Sequence, residues 1–439
     1  MKRFFAANNP ILLLTVATMI LMGGPLLLPG VVSPAEWQPY WIGGLVVASG
    51  LTWRQLHRIG QSHRFPQHPL SFSILLLLTW LPINLWAAGF GLQAWIQAGY
   101  LLFGVAVFWL LVTLPVTRHS PLVVAYLLLP LAAIILISAP FLTQWKSEFR
   151  LFHLPLYNTL RAIQVAGPGV LHANVLAGTL ALLIPLGVAV VLDMAIAQGH
   201  RAIWLVTLLL TVAALGLLLL SQSRGGYLAA GTGIVAVLIA RRPRLLYLTP
   251  FVLAAALLSL TVFDLSRVLD ELSRDGSLGG WDGRWTIWQA AIQTLVDMPL
   301  TGIGIGSFTA VIPLLHSLPF SIDSFPHAHN LVLQIGLDHG IVGLIAYCAM
   351  QLILFFLLVA LIRAPGPNAK VAPGPDIQDR YLERTVAIGC GGALVALNVH
   401  GLLDAVTWGV KPAFVPWMIY ALVVLLYLQH VAIPVTETS

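Results

Sequence analysis

Five polar side chains stand at the ends of long apolar runs in this sequence and could carry chemistry: Arg224, Arg284, His329, His400 and Asp404. A charged group next to hydrocarbon is costly, so such residues are retained mainly for function. Arginine binds phosphate through paired hydrogen bonds, histidine accepts protons near neutral pH, and aspartate orients histidine. The set predicts chemistry on an anionic, lipid-linked substrate at one face of a membrane.

The two arginines have different local settings. Arg224 lies in the segment SQSRGGYLAA between two apolar runs, where the following glycines would let the backbone approach a ligand closely. Arg284 opens the segment RWTIWQAAIQTLV and is followed by Trp285. Each could hold a phosphate group. The alternatives are an Arg224 side chain that snorkels to the membrane interface and a solvated Arg284 packed on tryptophan.

His329 lies in the segment SFPHAHNLVLQIGLDHGIVG. The pattern predicts a helix that begins at His327 or Ala328, whose dipole would keep His329 neutral and able to accept a proton. The same helix would turn His327 to another face. The alternative is an interfacial histidine that caps the helix. Asp338 and His339 would lie deeper, as polar groups within the membrane.

His400 and Asp404 are four residues apart at the end of another apolar run. On a helix they would share a face, and the aspartate could orient the histidine as a base. The alternative is a local hydrogen-bonded pair that closes the end of the helix. Arg161 and His172, which flank the start of the sixth predicted span, are weaker candidates for supporting roles.

Composition identifies a polytopic membrane protein. The 439 residues are 59% hydrophobic and 9% charged, with a mean hydropathy of +0.90. Apolar stretches of span length recur throughout, and one soluble core could not bury them all. The net charge of +6 is spread over the loops, which argues against nucleic-acid binding. Cys348 and Cys390 fall in apolar runs and are interpreted as buried hydrophobic residues.

Motifs for metals and nucleotides are missing from the sequence. It contains no Asp-x-Asp motif, no Cys/His set with zinc spacing and no Gly-rich lysine loop. We therefore predict no metal and no cofactor. An activated nucleotide donor is disfavoured, whereas a donor that carries its own pyrophosphate on a lipid would fit, because arginines can neutralise that pyrophosphate.

The apolar runs predict an all-α protein with about twelve transmembrane helices. Lys2 and Arg3 precede the first run, which is interpreted as a retained span rather than a signal peptide. Lysine and arginine in the short loops favour a cytoplasmic location of both termini. The predicted spans are residues 10–30, 37–53, 70–89, 92–114, 121–140, 171–193, 202–222, 226–240, 245–263, 329–362, 386–405 and 412–431.

Three segments fall between the spans of what is predicted to be a single membrane domain, residues 1–439. Residues 141–170 are amphipathic and predicted to lie along the outer interface. Residues 264–328 form the largest outer loop, with a helix predicted over Arg284–Val296 and capped by the preceding Asp-Gly pair. Residues 363–384 are rich in Pro and Gly and predicted to be a flexible cytoplasmic connector.

Two motifs give the chain a resemblance to the O-antigen ligase family, whose relatives include O-antigen polymerases and bacterial O-oligosaccharyltransferases. One is Arg224 followed by Leu228 after a span. The other is His329-Asn330, then nine residues, then Gly340-Ile341-Val342-Gly343. Arg284 and the GIGIGSF turn match further family features by position. The resemblance covers about residues 170–410.

The resemblance implies a metal-independent, inverting glycosyltransferase in the bacterial inner membrane, with its active site facing the periplasm. Undecaprenyl pyrophosphate would carry the donor glycan, and a sugar hydroxyl of the lipid A core would accept it. Arg224 and Arg284 would bind the pyrophosphate, and His329 would be the catalytic base. Asn330, His327, Arg161, His172, His400 and Asp404 are possible supporting residues. The expected partners are these two lipid-linked substrates and membrane lipids.

Other functions stay open on the sequence alone. A polysaccharide polymerase or a protein O-oligosaccharyltransferase would share the same motifs. An anion transporter would need polar groups through the membrane depth and matching inverted halves, whereas the polar residues concentrate at one side. A non-catalytic scaffold would tolerate replacement of Arg224 and His329.

Overall fold

The computed structural model describes residues 68–112, 120–145, 155–165, 170–248, 281–322, 325–363 and 375–432. These residues form an all-α membrane protein, with one two-residue parallel pairing of β1 (Thr143–Gln144) and β2 (Leu171–His172). The helices are α1 (Ser71–Ala87), α2 (Leu92–Val112), α3 (Ser120–Leu142), α4 (Leu156–Ile163), α5 (Ala173–Val191), α6 (Met194–Gly199), α7 (Arg201–Leu220), α8 (Arg224–Arg241), α9 (Trp281–Asp297), α10 (Phe308–Leu315), α11 (Leu331–Arg363), α12 (Pro375–Leu403) and α13 (Phe414–Ala432).

The polytopic prediction is confirmed. Among the described residues, seven helices are long and apolar enough to cross a membrane: α2, α3, α5, α7, α11, α12 and α13. The shorter α1 and α8 also coincide with predicted spans. Predicted spans 10–30 and 37–53 lie outside the described residues, as does 245–263 beyond residue 248.

Three helices pack closely at the centre of the described fold. Helices α5, α8 and α12 contact one another along their lengths, and small residues permit this approach. A β-carbon at Gly233 of α8 would lie 2.6 Å from the Pro185 ring of α5 and 2.7 Å from the Gly392 carbonyl of α12. Around this centre α7 packs on α5, α1 on α11, and α2 on α13. The contact between α8 and α12 brings two distant parts of the chain together at the site.

Helix α11 is broken at Gly340, so the tenth predicted span does not simply tilt or extend. Gly340 has φ 63° and ψ −168°, a conformation that few residues other than glycine adopt. A side chain here would collide with the Leu300 carbonyl, and the next amide, that of Ile341, donates to the Pro299 carbonyl at 2.7 Å. The break creates a first segment, residues 331–339, that leads directly from His329 into the protein interior.

The described residues of segment 141–170 pack against the membrane helices through two aromatic side chains. Trp145 and Tyr157 are buried. The Trp145 indole donates to the Pro140 carbonyl at 3.0 Å, and the Tyr157 hydroxyl donates to the Leu220 carbonyl at 2.7 Å. These two aromatic side chains attach the described part of the segment to the protein. Residues 146–154 and 166–169 of this segment lie outside the described residues.

Two predicted boundaries are wrong. Helix α9 begins at Trp281, so the Asp-Gly pair at 282–283 lies inside the helix rather than capping it. Helix α12 begins at Pro375, so the second half of the predicted connector 363–384 is helical. Proline is favoured in the first turn of a helix, because its missing N–H is one that would lack a partner there. The residues 364–374 and 264–280 lie outside the described part of the chain.

Candidate active site

The candidate site lies where the ends of four helices meet. Helix α12 ends one residue before Asp404, and α5 begins just before Asn174. The Asn174 side chain donates to Asp404 Oδ2 at 3.0 Å. Helices α8 and α11 begin at the same place, with Gly225 of α8 beside His400 and Asn330 bonded to the Leu402 carbonyl at 3.2 Å. The predicted site residues that have a contact or an electrostatic interaction here are His172, Arg284, His327, His329, Asn330, His400 and Asp404.

Asp404 is the centre of the cluster. Its Oδ1 atom lies 3.0 Å from His329 Nδ1 and 3.5 Å from His327 Nε2, and accepts the Ala405 amide at 3.0 Å. With Asn174 on Oδ2, the carboxylate is held on both oxygens. Its side chain is 4% exposed, whereas 13% of the His329 side chain is exposed. The Asp404 side chain is therefore almost fully buried, whereas part of the His329 side chain is accessible to solvent or substrate.

Burial and nearby charges determine the ionisation of His327 and Asp404. Burial lowers the pKa of His327 to about 3, against the opposing attraction of Asp404. Burial acts to raise the pKa of Asp404, but His327 and His329 outweigh it and hold that pKa well below its usual value. At neutral pH Asp404 is therefore ionised and His327 is neutral.

One hydrogen bond and the proximity of Asp404 indicate the tautomers of the two histidines. His327 Nδ1 accepts the backbone N–H of His329 at 3.2 Å, so the neutral His327 ring carries its proton on Nε2 and presents it to Asp404. The ionised Asp404 likewise selects the tautomer of His329 that has its proton on Nδ1. The lone pair on Nε2 of His329 is then available to accept a proton. This is the arrangement of a general base with an orienting carboxylate.

The local conformation of His329 differs from the helix predicted for it. Helix α11 begins at Leu331, and Asn330 caps it by accepting the Leu333 amide at 3.1 Å. His329 precedes the cap and has φ 48°, in the left-handed region. His327 consequently does not point to another face, because its ring centroid lies 4.4 Å from that of His329. His329 therefore does not lie in the first turn of the helix, contrary to the prediction, and its close neighbour is instead the carboxylate of Asp404.

Each of His327, His329 and Asp404 offers one possible metal-ligand atom, and these atoms lie within 4.8 Å of one another. The tautomers argue against a metal site. Because His327 Nδ1 accepts a backbone hydrogen bond, a metal on Nε2 would have to displace its proton and leave an imidazolate. The donor set therefore fits a hydrogen-bonded cluster better than a metal centre.

Arg284 reaches the cluster from helix α9. One turn further along the helix, the Trp288 indole donates to the Ala328 carbonyl at 3.0 Å, which fixes α9 against the segment that carries His329. The positive charge of Arg284 contributes to lowering the pKa of His327. Arg284 is therefore close enough to His327 to affect its pKa, although the sequence separates the two residues by 43 positions.

Arg224 is the first residue of α8, close to the position that the sequence predicts. The preceding Ser223 caps the helix and accepts the Gly226 amide at 3.3 Å. Arg224 is half-buried, and the adjacent Gly225 faces His400 and Leu403 at the end of α12. A helix N-terminus and an arginine together favour an anion. The N-terminus of α8 lies beside His400 at the end of α12.

The predicted His400–Asp404 hydrogen bond is not formed. The His400 ring is almost fully buried, and neither of its nitrogens has a hydrogen-bond partner among the described residues. The ring lies between Gly178 and Gly225, whereas Asp404 turns beyond the helix end toward His329. A spacing of four residues places the two side chains on one face, but it does not determine which partner each selects.

The weaker candidates differ in their positions. His172 caps α5 by accepting the Asn174 amide at 3.2 Å, and its charge affects His327. Arg161 donates to the Tyr157 carbonyl at 3.3 Å and to Asn158 at 3.0 Å within its own helix α4. The structure thus brings His172 to the cluster and shows local contacts for Arg161.

Sequence reasoning missed Asn174. Its side chain is the partner of Asp404 Oδ2, and it lies two residues after the candidate His172. The available signal was a polar residue in the first turn of an apolar span. A residue of this kind costs free energy in the membrane unless it finds a partner.

Apolar helices around a histidine–aspartate pair, with Arg284 nearby, define a polytopic membrane protein with an enzyme-like site. Residues 209–348 match the family model described as O-antigen ligase. This match supports the resemblance to the O-antigen ligase superfamily that the motifs indicate. The matched segment contains Arg224, Arg284 and His329, whereas Asn174 and Asp404 lie outside it. No curated protein matches this chain closely enough to be compared.

Proposed function

We propose that this protein is an O-antigen ligase, which moves a glycan from undecaprenyl pyrophosphate to a sugar hydroxyl of the lipid A core. One observation carries the proposal: Asp404 Oδ1 lies 3.0 Å from His329 Nδ1, which would leave Nε2 as a base, and Arg284 is close enough to affect the neighbouring His327. A base and cationic groups are the two requirements for displacing a pyrophosphate without a metal.

The proposed reaction is a single displacement. The acceptor hydroxyl oxygen attacks the anomeric carbon of the donor sugar and loses its proton to His329 Nε2. The bond from that carbon to the pyrophosphate oxygen breaks, and the electron pair leaves with undecaprenyl pyrophosphate. Attack from the face opposite the leaving group inverts the anomeric carbon. Arg224 and Arg284 stabilise the charge that develops on the pyrophosphate.

The polymerase alternative differs only in its acceptor, which would be a second lipid-linked glycan. The same histidine, aspartate and arginines would serve both reactions. The anion transporter is less well supported, because a proton-accepting histidine oriented by an aspartate has no required part in moving an anion. The acceptor therefore separates the main candidates.

A transfer assay tests the function. Purified protein in nanodiscs would be mixed with undecaprenyl-pyrophosphate glycan and lipid A core in the presence of EDTA. Glycosylated lipid A core is expected. Lengthened donor without modified lipid A would replace the ligase by the polymerase. Absence of both products, with a donor that a known ligase accepts, would contradict the proposed function.

The Arg224 contact gives a separate prediction. Arg224→Lys keeps the charge but loses the planar pair of donors, so kcat/KM for the donor is expected to fall about 10–100-fold. Arg224→Ala should fall further. The matched control is Arg201→Lys, which changes an exposed arginine at the other end of the preceding helix α7 and should leave kcat/KM unchanged. Equal donor kinetics in Arg224→Ala and the wild type would exclude the pyrophosphate role.

We also propose that the site faces the periplasm in the inner membrane, with both termini in the cytoplasm. The arginines at 241, 242 and 244 support this, because short basic loops stay inside. In a Cys348→Ser background, an impermeant maleimide should label Trp285→Cys in intact spheroplasts and Tyr247→Cys only after permeabilisation. Both wild-type side chains are more than half exposed. The reverse pattern would overturn the orientation.

A further inference from the structure

The carboxylate of Asp338 is fully buried in the first segment of α11 and is held by three donors. Its Oδ1 accepts the Gln334 side chain at 3.0 Å and the Gly306 amide at 3.3 Å. Its Oδ2 accepts the Trp408 indole at 3.1 Å. The donors come from α11, the GIGIGSF turn and the segment after α12. One buried carboxylate thus joins three separate parts of the chain.

One of these donors leads to His329. The amide nitrogen of Gln334 bonds to Asp338, and its carbonyl oxygen accepts the Ala328 backbone N–H at 2.9 Å. Ala328 directly precedes His329, and its own carbonyl accepts the Trp288 indole at 3.0 Å. The N–H and the carbonyl of Ala328, just before the proposed base, are therefore both hydrogen-bonded. Asp338 holds the Gln334 side chain that accepts the Ala328 N–H.

A second donor leads to Asp404. The Trp408 backbone amide bonds to the Ala405 carbonyl at 3.1 Å, and the Ala405 amide bonds to Asp404 Oδ1 at 3.0 Å. Residues 404–408, which follow α12, thus form a hydrogen-bonded turn, and the Trp408 side chain connects this turn to Asp338. Asp338 thus bonds both to Gln334, which leads to His329, and to Trp408, which leads to Asp404.

We propose that Asp338 is a positioning residue, which sets the distance between His329 and Asp404 through Gln334 and Trp408. The proposal rests on the function proposed above. It assigns no contact with substrate to Asp338. Misplacement of a catalytic group by about 1 Å can cost about 100-fold in rate, so an intact site with displaced partners would be a poor catalyst.

The first test variant is Asp338→Asn. The new amide can accept from Gln334 and Gly306 through its oxygen, but its NH2 group then opposes the Trp408 indole N–H, so one donor loses its acceptor. We expect kcat to fall about 10–100-fold. The donor KM should stay within about threefold of the wild type when chemistry is slow relative to dissociation, because Arg224 and Arg284 are unchanged.

A second variant separates positioning from folding. Asp338→Asn combined with Trp408→Phe removes the opposed indole N–H, so the unfolding temperature should rise again toward that of the wild type. The Trp408 connection is still missing, so kcat should stay low. Recovery of kcat together with stability would show that Asp338 has a structural role only, and would overturn the proposal.

Two further variants complete the comparison. Asp193 is a buried carboxylate that bonds to Thr385 and lies 3.7 Å from Arg241, at the other end of α5. Asp193→Asn should lower the unfolding temperature and leave kcat of the folded protein unchanged. His329→Asn must lose turnover in the same preparations. If His329→Asn loses turnover and Asp338→Asn keeps the wild-type kcat, the positioning role of Asp338 is overturned and the proposed function stands. Wild-type turnover by His329→Asn would overturn the proposed function and the positioning role together.

Discussion

His329→Ala is expected to reduce kcat for glycan transfer by about 10²–10⁴-fold, the usual contribution of a general base. The physical reason is the position of its lone pair. Asp404 occupies the Nδ1 side of the ring, so Nε2 is the atom that can take the acceptor proton. Without it, the hydroxyl must attack while still protonated. The measurement is single-turnover transfer with saturating donor and acceptor, in nanodiscs.

The left-handed backbone of His329 requires a second variant. At φ 48° an alanine adds strain, so His329→Ala could lose activity through local rearrangement. Asparagine tolerates this region better and cannot act as a base, so His329→Asn should retain the fold and show the same loss. The control is His316→Ala, since His316 bonds to Thr294 at 2.7 Å within the outer helices. Wild-type turnover in His329→Asn would rule out the base.

Asp404→Asn is expected to reduce kcat by roughly 10²–10⁴-fold, the scale seen when a base loses its orienting carboxylate. The amide oxygen and nitrogen cannot both fit. If the nitrogen faces His329, the ring must present a lone pair on Nδ1 and carry its proton on Nε2, which removes the base. If the oxygen faces His329, the nitrogen opposes the Asn174 amide. The assay is the same single-turnover transfer.

A swap of the two partners tests this explanation. In Asp404→Asn combined with Asn174→Asp, the new carboxylate accepts the amide N–H at position 404, and the amide oxygen turns to His329. Part of the lost kcat should return relative to Asp404→Asn alone. If it does not, the charge of Asp404 rather than its orientation of the ring accounts for the effect. Wild-type turnover in Asp404→Asn itself would contradict both.

The pKa shifts set the pH range over which Asp404 contributes to stability. Its folded pKa is lowered, so its contribution is present above the unfolded pKa and is lost as the pH falls through the folded value. Near neutral pH the carboxylate is therefore fully ionised, and His327 stays neutral because burial lowers its pKa to about 3.

The sequence by itself determined the class of protein and the identities of the main candidate residues. Hydropathy located the spans of the described region, because the bilayer demands about 20 apolar residues per helix wherever the chain crosses it. The same demand makes each polar residue at a span end conspicuous. Arg224, Arg284, His329 and Asp404 could be chosen for that reason, without knowledge of their partners.

Only the tertiary structure decided which of these residues meet. Asp404 lies 75 positions from His329 and 230 from Asn174, and helical spacing pairs it with His400 instead. Local periodicity describes one helix, whereas the partner of a side chain depends on which helix ends pack together. The left-handed turn at His329 and the break at Gly340 depend in the same way on contacts from distant segments. These contacts bring Asp404 to His329, and they arise from packing that no local pattern in the chain specifies.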